Sequence, residues 1–366
     1  MKPRFLVLGV GNAQVDLLQR LQGHCEVHAL SNARAGRGLP FVDHFEEIDI
    51  TNRDAVRDYA RRHAIEHIYS VGSDVAMPTV AYVAESLGLK TLVSSGVAEI
   101  CNHKVSMRTA LRDAYGALPF ELLDSTYRTT SLSFPVVVKP VDSQGQRGVS
   151  MVETPDGLDD ALRLALPHSR SGQAIVEPLV GGREISVNVY LRDGEVVFFL
   201  PSDRISWSGL DGGIIHKHLL PASLTTAEQD RVQRLVHETV GVLGLRQGPA
   251  YFQIKVADGH PYLIEVTPRL DGCHMWRLIQ HATGVDLLDM AIRHMLSEPV
   301  ELPVWSRVRP AMLEFFCQAP DTPFARAQAH PGAVHLEWYY EPGATVRRMN
   351  GKMEKCGYQI VMADAS

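Results

Sequence analysis

The sequence predicts a mixed protein in which an α/β domain with a parallel sheet is followed by an antiparallel α+β unit. Up to about residue 100, short apolar runs alternate with helical patterns, as in a parallel sheet with crossover helices. From Phe134 onward the apolar runs are joined instead by hairpin turns, of which Asp193-Gly194 and Asp258-Gly259 are the clearest. The 366 residues allow two or three domains and a large buried core.

The N-terminal elements indicate a doubly wound domain of the Rossmann type. The predicted strands are 5–9, 26–30, 67–72 and 91–94, and the predicted helices are 14–21, 53–63 and 75–87, with N-caps at Thr51 or Asn52 and at Ser73 or Asp74. The first turn contains Gly9 and Gly11, but Gln14 stands where a dinucleotide fingerprint needs a third glycine. We therefore expect a tight strand-to-helix turn that binds no dinucleotide. The alternative is that this turn binds a nicotinamide cofactor and that the protein is an oxidoreductase.

The rest of the chain indicates the antiparallel unit. Residues 100–125 are predicted to be helical, with Lys104 near the start of a helix at 105–114. The next predicted strands are 134–139, 149–152, 174–177, 184–191, 196–200, 250–256 and 261–266, and the next helices are 156–166, 274–283 and 286–297. A capping box at Thr225 and Glu228 begins a further helix. The polar segment 202–222 is predicted to be a long loop, and 301–366 to be short strands and loops.

Composition and charge exclude several classes of protein. With 36 Lys and Arg against 42 Asp and Glu, the net charge is -6, which repels a nucleic-acid backbone. Nowhere do about 18 apolar residues follow one another, so we expect no membrane-spanning helix. The apolar run 5–10 is too short for a secretion signal. The five cysteines are scattered without a C-x-x-C pair, which favours reduced thiols in the cytoplasm.

The hairpin around Asp258-Gly259 carries a candidate metal site. Its second strand has polar residues at every second position, so Glu265, Thr267 and Arg269 share one face. A three-residue loop would put Gln253 on that face too, whereas a two-residue turn would put it on the opposite face. In the first case the oxygen ligands suit Mg²⁺, which fills the rest of its shell with phosphate and water. The alternative is an exposed sheet face with solvated side chains.

Two further segments carry candidate phosphate and nucleoside contacts. Lys139 ends a buried strand and supplies a point charge, and the loop after it offers backbone amides to phosphate oxygens through Ser143, Gln144, Gly145, Gln146 and Gly148. A flexible turn is the alternative, and the loop is not a Walker motif. Glu177 and Glu184 flank a turn between two strands, where they could accept hydrogen bonds from adenine and ribose, or lie on a surface turn.

Taken in order, these motifs resemble the ATP-grasp superfamily, and in particular biotin carboxylases, carbamoyl-phosphate synthetase large subunits and amino-acid ligases. They are Lys104, the run Val-Val-Val-Lys139 with its glycine loop, Glu177 to Glu184, Gln253, and Glu265-x-Thr267-x-Arg269. The likeness runs from residue 1 to about 300. It implies a Rossmann-like domain at 1–100, an ATP-grasp domain at 101–300 with a lid at about 126–190, and a C-terminal segment at 301–366 that completes the ATP-grasp core.

The resemblance also implies roles for individual residues. The implied nucleotide contacts are Lys104 and Lys139 at the phosphates, Ser143, Gln144, Gly145 and Gly148 in the lid loop, Glu177, Leu179 and Val180 at the adenine, and Glu184 at the ribose. Gln253, Glu265 and Thr267 would bind the metal, and Arg269 would steady the transferred phosphoryl group. Two positions depart from the family pattern. Thr267 stands where Asn is usual, and a hydroxyl is a weaker and shorter-reaching ligand than a carboxamide. Asn102-His103 stands where Asp often precedes the lysine.

The implied activity is that of a free-standing ligase that uses ATP and Mg²⁺ or Mn²⁺. It would phosphorylate a carboxylate, and an amine would displace phosphate from the acyl phosphate to give an amide. The candidates for holding the carboxylate or deprotonating the amine are Arg204, Lys217, His216, His218 and His274, although a histidine near neutrality serves many purposes.

The substrates and partners are expected to be small molecules, with no nucleic acid and no membrane. A carboxyl-bearing sugar, an amino acid or a peptide would each be compatible as substrate, and a homodimer is compatible with the resemblance. An ATP-binding sensor without chemistry is a further alternative, which the presence of Thr267 favours.

Overall fold

The N-terminal part of the chain forms a parallel sheet flanked by helices. The computed structural model describes residues 2–142, 148–207, 214–301, 304–305, 307–349 and 353–363. The first elements are β1 (Arg4–Leu8), α1 (Val15–Leu21), β2 (Glu26–Ser31), β3 (His44–Glu47), α2 (Arg53–Arg62), β4 (His67–Tyr69) and α3 (Met77–Leu87). The four strands pair in parallel in the order β3-β2-β1-β4, which confirms the predicted α/β fold class. Strand β1 is apolar along almost its whole length because both of its faces are covered.

Three details of this region differ from the sequence-based expectations. Residues 91–94 are not a strand, and β3, which is polar and exposed at the sheet edge, was not predicted. Helix α3 begins at Met77 and has Ala76 as its N-cap, because the carboxylate of Asp74 is bound to Arg269 instead. Helix α2 does begin as predicted, since the Asn52 side chain accepts a hydrogen bond from the Ala55 backbone N–H.

A small antiparallel sheet follows two short helices. Helices α4 (Ser95–Asn102) and α5 (Lys104–Ala110) lead to β5 (Glu121–Leu123), β6 (Val136–Pro140), β7 (Ser150–Val152), α6 (Leu158–Ala165) and β8 (Ala174–Pro178). The strands pair in the order β5-β8-β6-β7, and β5 lies in a region that we expected to be helical. This small sheet has a hydrophobic core of its own, built around Val136, Val138 and Leu162. The predicted lid limits of 126 and 190, and the other domain limits, stay predictions.

An eight-stranded antiparallel sheet forms the centre of the molecule. Its elements are β9 (Arg183–Arg192), β10 (Glu195–Ser206), β11 (Ile215–Leu220), α7 (Thr226–Leu243), β12 (Gly248–Ala257), β13 (His260–Thr267), α8 (Met275–Thr283), α9 (Leu287–Met295), β14 (Ala311–Gln318), β15 (Ala333–Trp338) and β16 (Glu354–Met362). The strand order is β13-β12-β9-β10-β11-β14-β16-β15. The capping box at Thr225 and Glu228 begins α7 as predicted. One continuous hydrophobic core joins this sheet to the N-terminal sheet, with Phe5 and Phe252 as fully buried members.

The polar segment 202–222 is the largest error in the sequence-based prediction. Strand β10 continues to Ser206, and β11 pairs with it so that Arg204 lies opposite His218. These strands lie inside the large sheet and still carry charged side chains, so they lack the apolar alternation by which strands are detected. In the part of the chain that is described, no helix is long and apolar enough to cross a membrane.

Candidate active site

A cavity of about 420 Å³ lies where the small sheet faces the hairpin formed by β12 and β13. The predicted site residues that line it are Lys104, Lys139, Glu177, Leu179, Val180, Glu184, Arg204, Gln253 and Glu265. They come from α5, β6, β8, β9, β10, β12 and β13 and from the turn between β8 and β9. Segments that are distant in sequence thus place these nine residues around one space of ordinary ligand size. The third predicted metal ligand, Thr267, is not among the residues that line it.

The hairpin brings Gln253 and Glu265 onto one face by a route that differs from the expected one. The turn has two residues, since Ala257 pairs with His260 and Val256 with Pro261, so the three-residue loop is wrong. A β-bulge then shifts the register, because Ile254 pairs with Leu263 whereas Gln253 pairs with Glu265. The two-residue turn alone would put Gln253 and Glu265 on opposite faces of the hairpin. The extra residue in β13 changes this and puts them on the same face. Directly opposed residues share a face of the sheet, so the two predicted metal ligands lie side by side.

Arg108 explains why the bulge is stable. Its guanidinium donates hydrogen bonds to the backbone carbonyls of Leu263 and Ile264, at 3.0 and 2.9 Å. Carbonyls at a bulge lose their ladder partners, and a buried unpaired carbonyl costs free energy. The same guanidinium pairs through Nε with the Glu177 carboxylate. Arg108 therefore couples the hairpin of the large sheet to the small sheet.

Glu177 is a buried carboxylate held between two cations. Its other oxygen accepts a hydrogen bond from Lys139 Nζ at 2.5 Å, and its side chain is 3% exposed. Although burial alone would raise the pKa of Glu177, Lys139 and Arg108 lower it to about 2. The carboxylate itself is thus occupied by protein cations, and its predicted contact with adenine stays a prediction. The backbone next to it is also engaged: Leu179 N–H donates to Pro135 at 2.9 Å, and the Val180 carbonyl accepts from Lys255 at 2.9 Å.

The depressed pKa of Glu177 predicts how stability depends on pH. The ion pairs stabilise the fold fully above the ordinary carboxyl pKa of 4.5, and this contribution is lost as pH falls towards about 2. The difference corresponds to about 3 kcal/mol of unfolding free energy. Glu177→Gln should therefore lower stability at pH 7 and flatten its dependence between pH 5 and about 3, as measured by urea unfolding. Glu195→Gln, at an exposed position, is the control. A wild-type pH slope in Glu177→Gln would contradict this account.

Glu184, Arg204 and Gln253 form a second network on the cavity wall. Gln253 Nε2 donates to Glu184 Oε1 at 2.5 Å, and the Arg204 guanidinium pairs with the same oxygen. Because the amide nitrogen of Gln253 is bound in this way, its amide oxygen is the atom left to serve as a ligand. The predicted contact of Glu184 with a ribose stays a prediction.

The chemistry of the hairpin face fits a hard divalent cation. Burial and the nearby Asp74 raise the pKa of Glu265, against the lowering effect of Arg269 and Lys104. A cation beside the Glu265 carboxylate would stabilise its charged form and so lower its pKa again. Thr267 is buried, and its hydroxyl has no hydrogen-bond partner in the described part of the chain. A carboxylate, an amide oxygen and an unpaired hydroxyl on one face are ligands of the kind that Mg²⁺ takes.

Arg269 ties the large sheet to the N-terminal domain. Its Nε lies 2.8 Å and its Nη2 2.5 Å from Asp74 Oδ1, and Nη1 donates to the Leu270 carbonyl at 3.0 Å. Its guanidinium carbon lies 5.7 Å from the ring centroid of Tyr251. Asp74 lines the cavity, whereas Arg269 is not among the residues that line it. The predicted contact of Arg269 with a phosphoryl group stays a prediction.

Several other predicted residues lie away from the described cavity wall. Lys217 Nζ and His216 Nε2 bind Glu314 Oε1 at 3.0 and 3.1 Å, so β14 holds both of them. His274 Nε2 lies 3.0 Å from the Tyr339 hydroxyl. His218 is fully buried, and neither of its ring nitrogens has a hydrogen-bond partner in the described part of the chain. Burial lowers the pKa of His218 to about 3, so its imidazole is neutral.

The predicted lid loop is described only in part. Ser143, Gln144, Gly145 and Gln146 lie outside the described residues. Gly148 has a φ of +71°, and a Cβ there would lie 2.9 Å from both Pro140 Cγ and His168 Cδ2. Glycine at this position is thus explained by local packing.

The first strand-to-helix turn is closed by Gln14. Its side-chain oxygen accepts a hydrogen bond from Gly11 N–H at 3.0 Å, and its side-chain nitrogen donates to the Val71 carbonyl. A Cβ at Gly9 would lie 3.2 Å from Gln14 Cδ. The side chain therefore occupies the turn, where a dinucleotide pyrophosphate would need the free backbone amides. This geometry counts against the nicotinamide alternative.

Three charged residues of the cavity wall were missed in the sequence, although each had a detectable signal. Arg108 follows Lys104 by four residues on one helix, which puts both on the same face. Lys255 follows Gln253 by two residues on one strand. Asp74 follows the last strand of the parallel sheet, at the carboxyl edge where ligands bind in such sheets.

Comparison with known proteins finds a family match and several relatives for this chain. Residues 132–276 match the family model described as the ATP-grasp domain. The chain is 26% identical over 247 residues to the ATP-grasp enzyme fsqD of Aspergillus fumigatus, across 58% of this chain and 43% of that protein. It is 25% identical over 296 residues to a formate-dependent phosphoribosylglycinamide formyltransferase of Synechococcus sp. CC9605, across 75% of this chain and 71% of that protein.

The fold is shared with a solved ligase structure. L-amino acid ligase from Bacillus licheniformis superposes with a TM-score of 0.80 at 19% identity, across 100% of this chain and 94% of that one. The chain matches less than half the length of the Aspergillus relative, and 71% of the formyltransferase. The family match identifies residues 132–276 as an ATP-grasp domain, and the whole chain shares its fold with the solved ligase.

Proposed function

We propose that this chain is an ATP-dependent ligase that joins a carboxylate to an amine and releases ADP and phosphate. The observation that carries the proposal is the placement of Lys104 and Lys139 around the same cavity as the opposed pair Gln253 and Glu265. Cations for a triphosphate and oxygen ligands for its metal thus share one space. The names of two relatives, a formate-dependent formyltransferase and an L-amino acid ligase, support small carboxylate and amine substrates.

The charges of the cavity suit phosphoryl transfer. When bound through Gln253, Glu265 and the Thr267 hydroxyl, Mg²⁺ would neutralise phosphate charge. Lys104 and Lys139 add positive charge from α5 and β6. Arg204 is held in one orientation by Glu184, so it is a fixed donor on the cavity wall. A donor already in place when charge develops in the transition state contributes about 2.7–4 kcal/mol, because it need not reorganise.

The reaction has two balanced steps. A carboxylate oxygen attacks the γ-phosphorus of ATP, and the bond from that phosphorus to the bridging oxygen breaks. ADP departs, and the carboxylate has become an acyl phosphate. An amine nitrogen then attacks the acyl carbon, the carbon–oxygen bond to phosphate breaks, and the nitrogen loses a proton. Water would hydrolyse the acyl phosphate, so the cavity must exclude it while this intermediate is present.

The proposal predicts that ADP forms in quantity only when an acid and an amine are both present. A screen of carboxylic acids and amines, paired and single, would follow ADP and phosphate release, with the product identified by its mass. Amino acids, peptides and carboxyl-bearing sugars are the first candidates. Nucleotide binding without ADP formation in any pair would instead indicate a sensor. Turnover that needs NAD and no ATP would contradict the proposal.

We also infer a cytoplasmic location and retain a homodimer as a proposal. All five cysteines are unpaired, as expected in a reducing compartment. Size-exclusion chromatography with light scattering would measure the mass of the assembly.

A further inference from the structure

Three side chains that suit a transition metal lie together at the outer edge of the N-terminal sheet, far from the cavity in sequence. Glu26 and His28 are two residues apart on β2, so they share a face. His44 on β3 is the direct register partner of His28. Strand geometry therefore gathers one carboxylate and two imidazoles at one point, and neither the ligase activity nor the family match accounts for this set.

The ligand atoms lie at coordination distances from one another. Glu26 Oε1 is 3.0 Å from His44 Nε2 and 3.4 Å from His28 Nε2. Bonds of about 2.0–2.1 Å at tetrahedral angles place neighbouring ligand atoms about 3.3 Å apart. All three ligand atoms lie within 4.8 Å of one another.

The orientation of His28 supports a ligand role. Its side chain is 2% exposed, and its Nε2 lies 3.4 Å from Glu26 Oε1 without a well-formed hydrogen bond to any described residue. A buried ring nitrogen without a well-formed hydrogen bond costs free energy unless a ligand satisfies it. The other ring nitrogen, Nδ1, lies 2.9 Å from the Tyr59 hydroxyl. A hydrogen bond at the second nitrogen is how metal-binding histidines are commonly fixed in orientation.

The surroundings leave the site accessible. A cavity of about 680 Å³ borders Glu26 and His44, so an ion can reach them from solvent. Arg4 Nε lies 3.4 Å from Glu26 Oε2, the oxygen that does not face the histidines. Asp43 and Glu66 line the same cavity and offset the positive charges of Lys2 and Arg4, which also line it.

We propose that Glu26, His28 and His44 bind one divalent ion of the Zn²⁺ type and fasten the edge strand β3 to β2. Two imidazole nitrogens with one carboxylate suit borderline ions such as Zn²⁺ better than Mg²⁺. Three protein ligands would leave the fourth position to water. The site is independent of the ligase activity, so either proposal can fail without the other.

The test is Zn²⁺ binding to the full chain, stripped of metal and held in excess Mg²⁺ so that the hairpin site is occupied. Equilibrium dialysis should show one Zn²⁺ per wild-type chain, and Zn²⁺ should raise the Tm. His44→Ala is the main variant, because the His44 side chain is 51% exposed and its loss should not unfold the protein. Loss of even a hydrogen-bond partner of a ligand costs about 10–100-fold in metal affinity, so His44→Ala should cost at least tenfold. Glu26→Gln should act likewise, and Tyr59→Phe should weaken binding less.

Two controls make the outcome specific. His237→Ala removes an exposed histidine elsewhere and should bind Zn²⁺ as the wild type does. Cys273→Ser tests the buried set His218, Asp271 and Cys273, where Lys355 Nζ lies 3.4 Å from the sulfur and opposes a cation. The proposal is overturned if the wild type binds no Zn²⁺, or if His44→Ala and Glu26→Gln bind normally. A Co²⁺ complex with a thiolate charge-transfer band that Cys273→Ser abolishes would also overturn it.

Discussion

Arg269→Ala is expected to lower the kcat of the ligase reaction by about 10²–10³-fold, with a much smaller change in nucleotide affinity. The proposed role of Arg269 is to stabilise charge on the transferred phosphoryl group, and the Asp74 pair holds it in place. A group that acts only in the transition state changes kcat more than substrate binding. Steady-state ADP formation, with nucleotide affinity from calorimetry, measures both quantities.

Matched variants separate this role from a loss of folding. Arg20 forms a comparable pair with Asp286 at 2.7 Å, also between the N-terminal domain and the rest of the chain. Arg20→Ala should leave kcat per folded molecule unchanged. Arg269→Lys keeps the charge but not the planar fork, so it should recover only part of the rate. Unchanged turnover in Arg269→Ala would remove the residue from the catalytic set.

Glu265→Gln is expected to raise the Mg²⁺ concentration that gives half-maximal ADP formation by at least about tenfold. The substitution keeps the size of the side chain and removes the negative charge on which metal binding depends. A Mg²⁺ titration of ADP formation at saturating ATP measures the shift. Glu314→Gln, which removes a carboxylate bound to Lys217 outside the described cavity wall, is the control. An unaltered titration in Glu265→Gln would show that Glu265 is not a metal ligand.

Strands and helices with a regular apolar pattern were predictable from the sequence. β1 and β2 are buried on both faces, and α7 carries its own capping box. β3 was missed because an exposed edge strand needs no apolar residues. The end of β10 beyond residue 200 and the whole of β11 were missed because they carry charged side chains. Arg204 on β10 lines the cavity, and Lys217 on β11 pairs with Glu314.

The position of the site was predictable only in part, because it depends on tertiary contacts. Alternation of polar and apolar residues along β12 and β13 identified Gln253 and Glu265 as candidates. Whether their side chains lie on the same face depended on the length of the turn, which the alternation does not determine. The β-bulge that brings them together is satisfied by Arg108 from a distant helix. The single sequence likewise gave no sign that Glu177 is paired with Lys139 and Arg108. Such long-range pairs carry no local pattern.

The most direct test of the metal and nucleotide site is Mn²⁺ binding followed by electron paramagnetic resonance, with a non-hydrolysable ATP analogue present. The wild type should bind the ion tightly in a complex that requires the nucleotide, and Glu265→Gln and Gln253→Ala should each weaken that binding strongly. Mn²⁺ binding that is equally tight in the wild type and both variants, or that is independent of the nucleotide, would contradict a site on this hairpin.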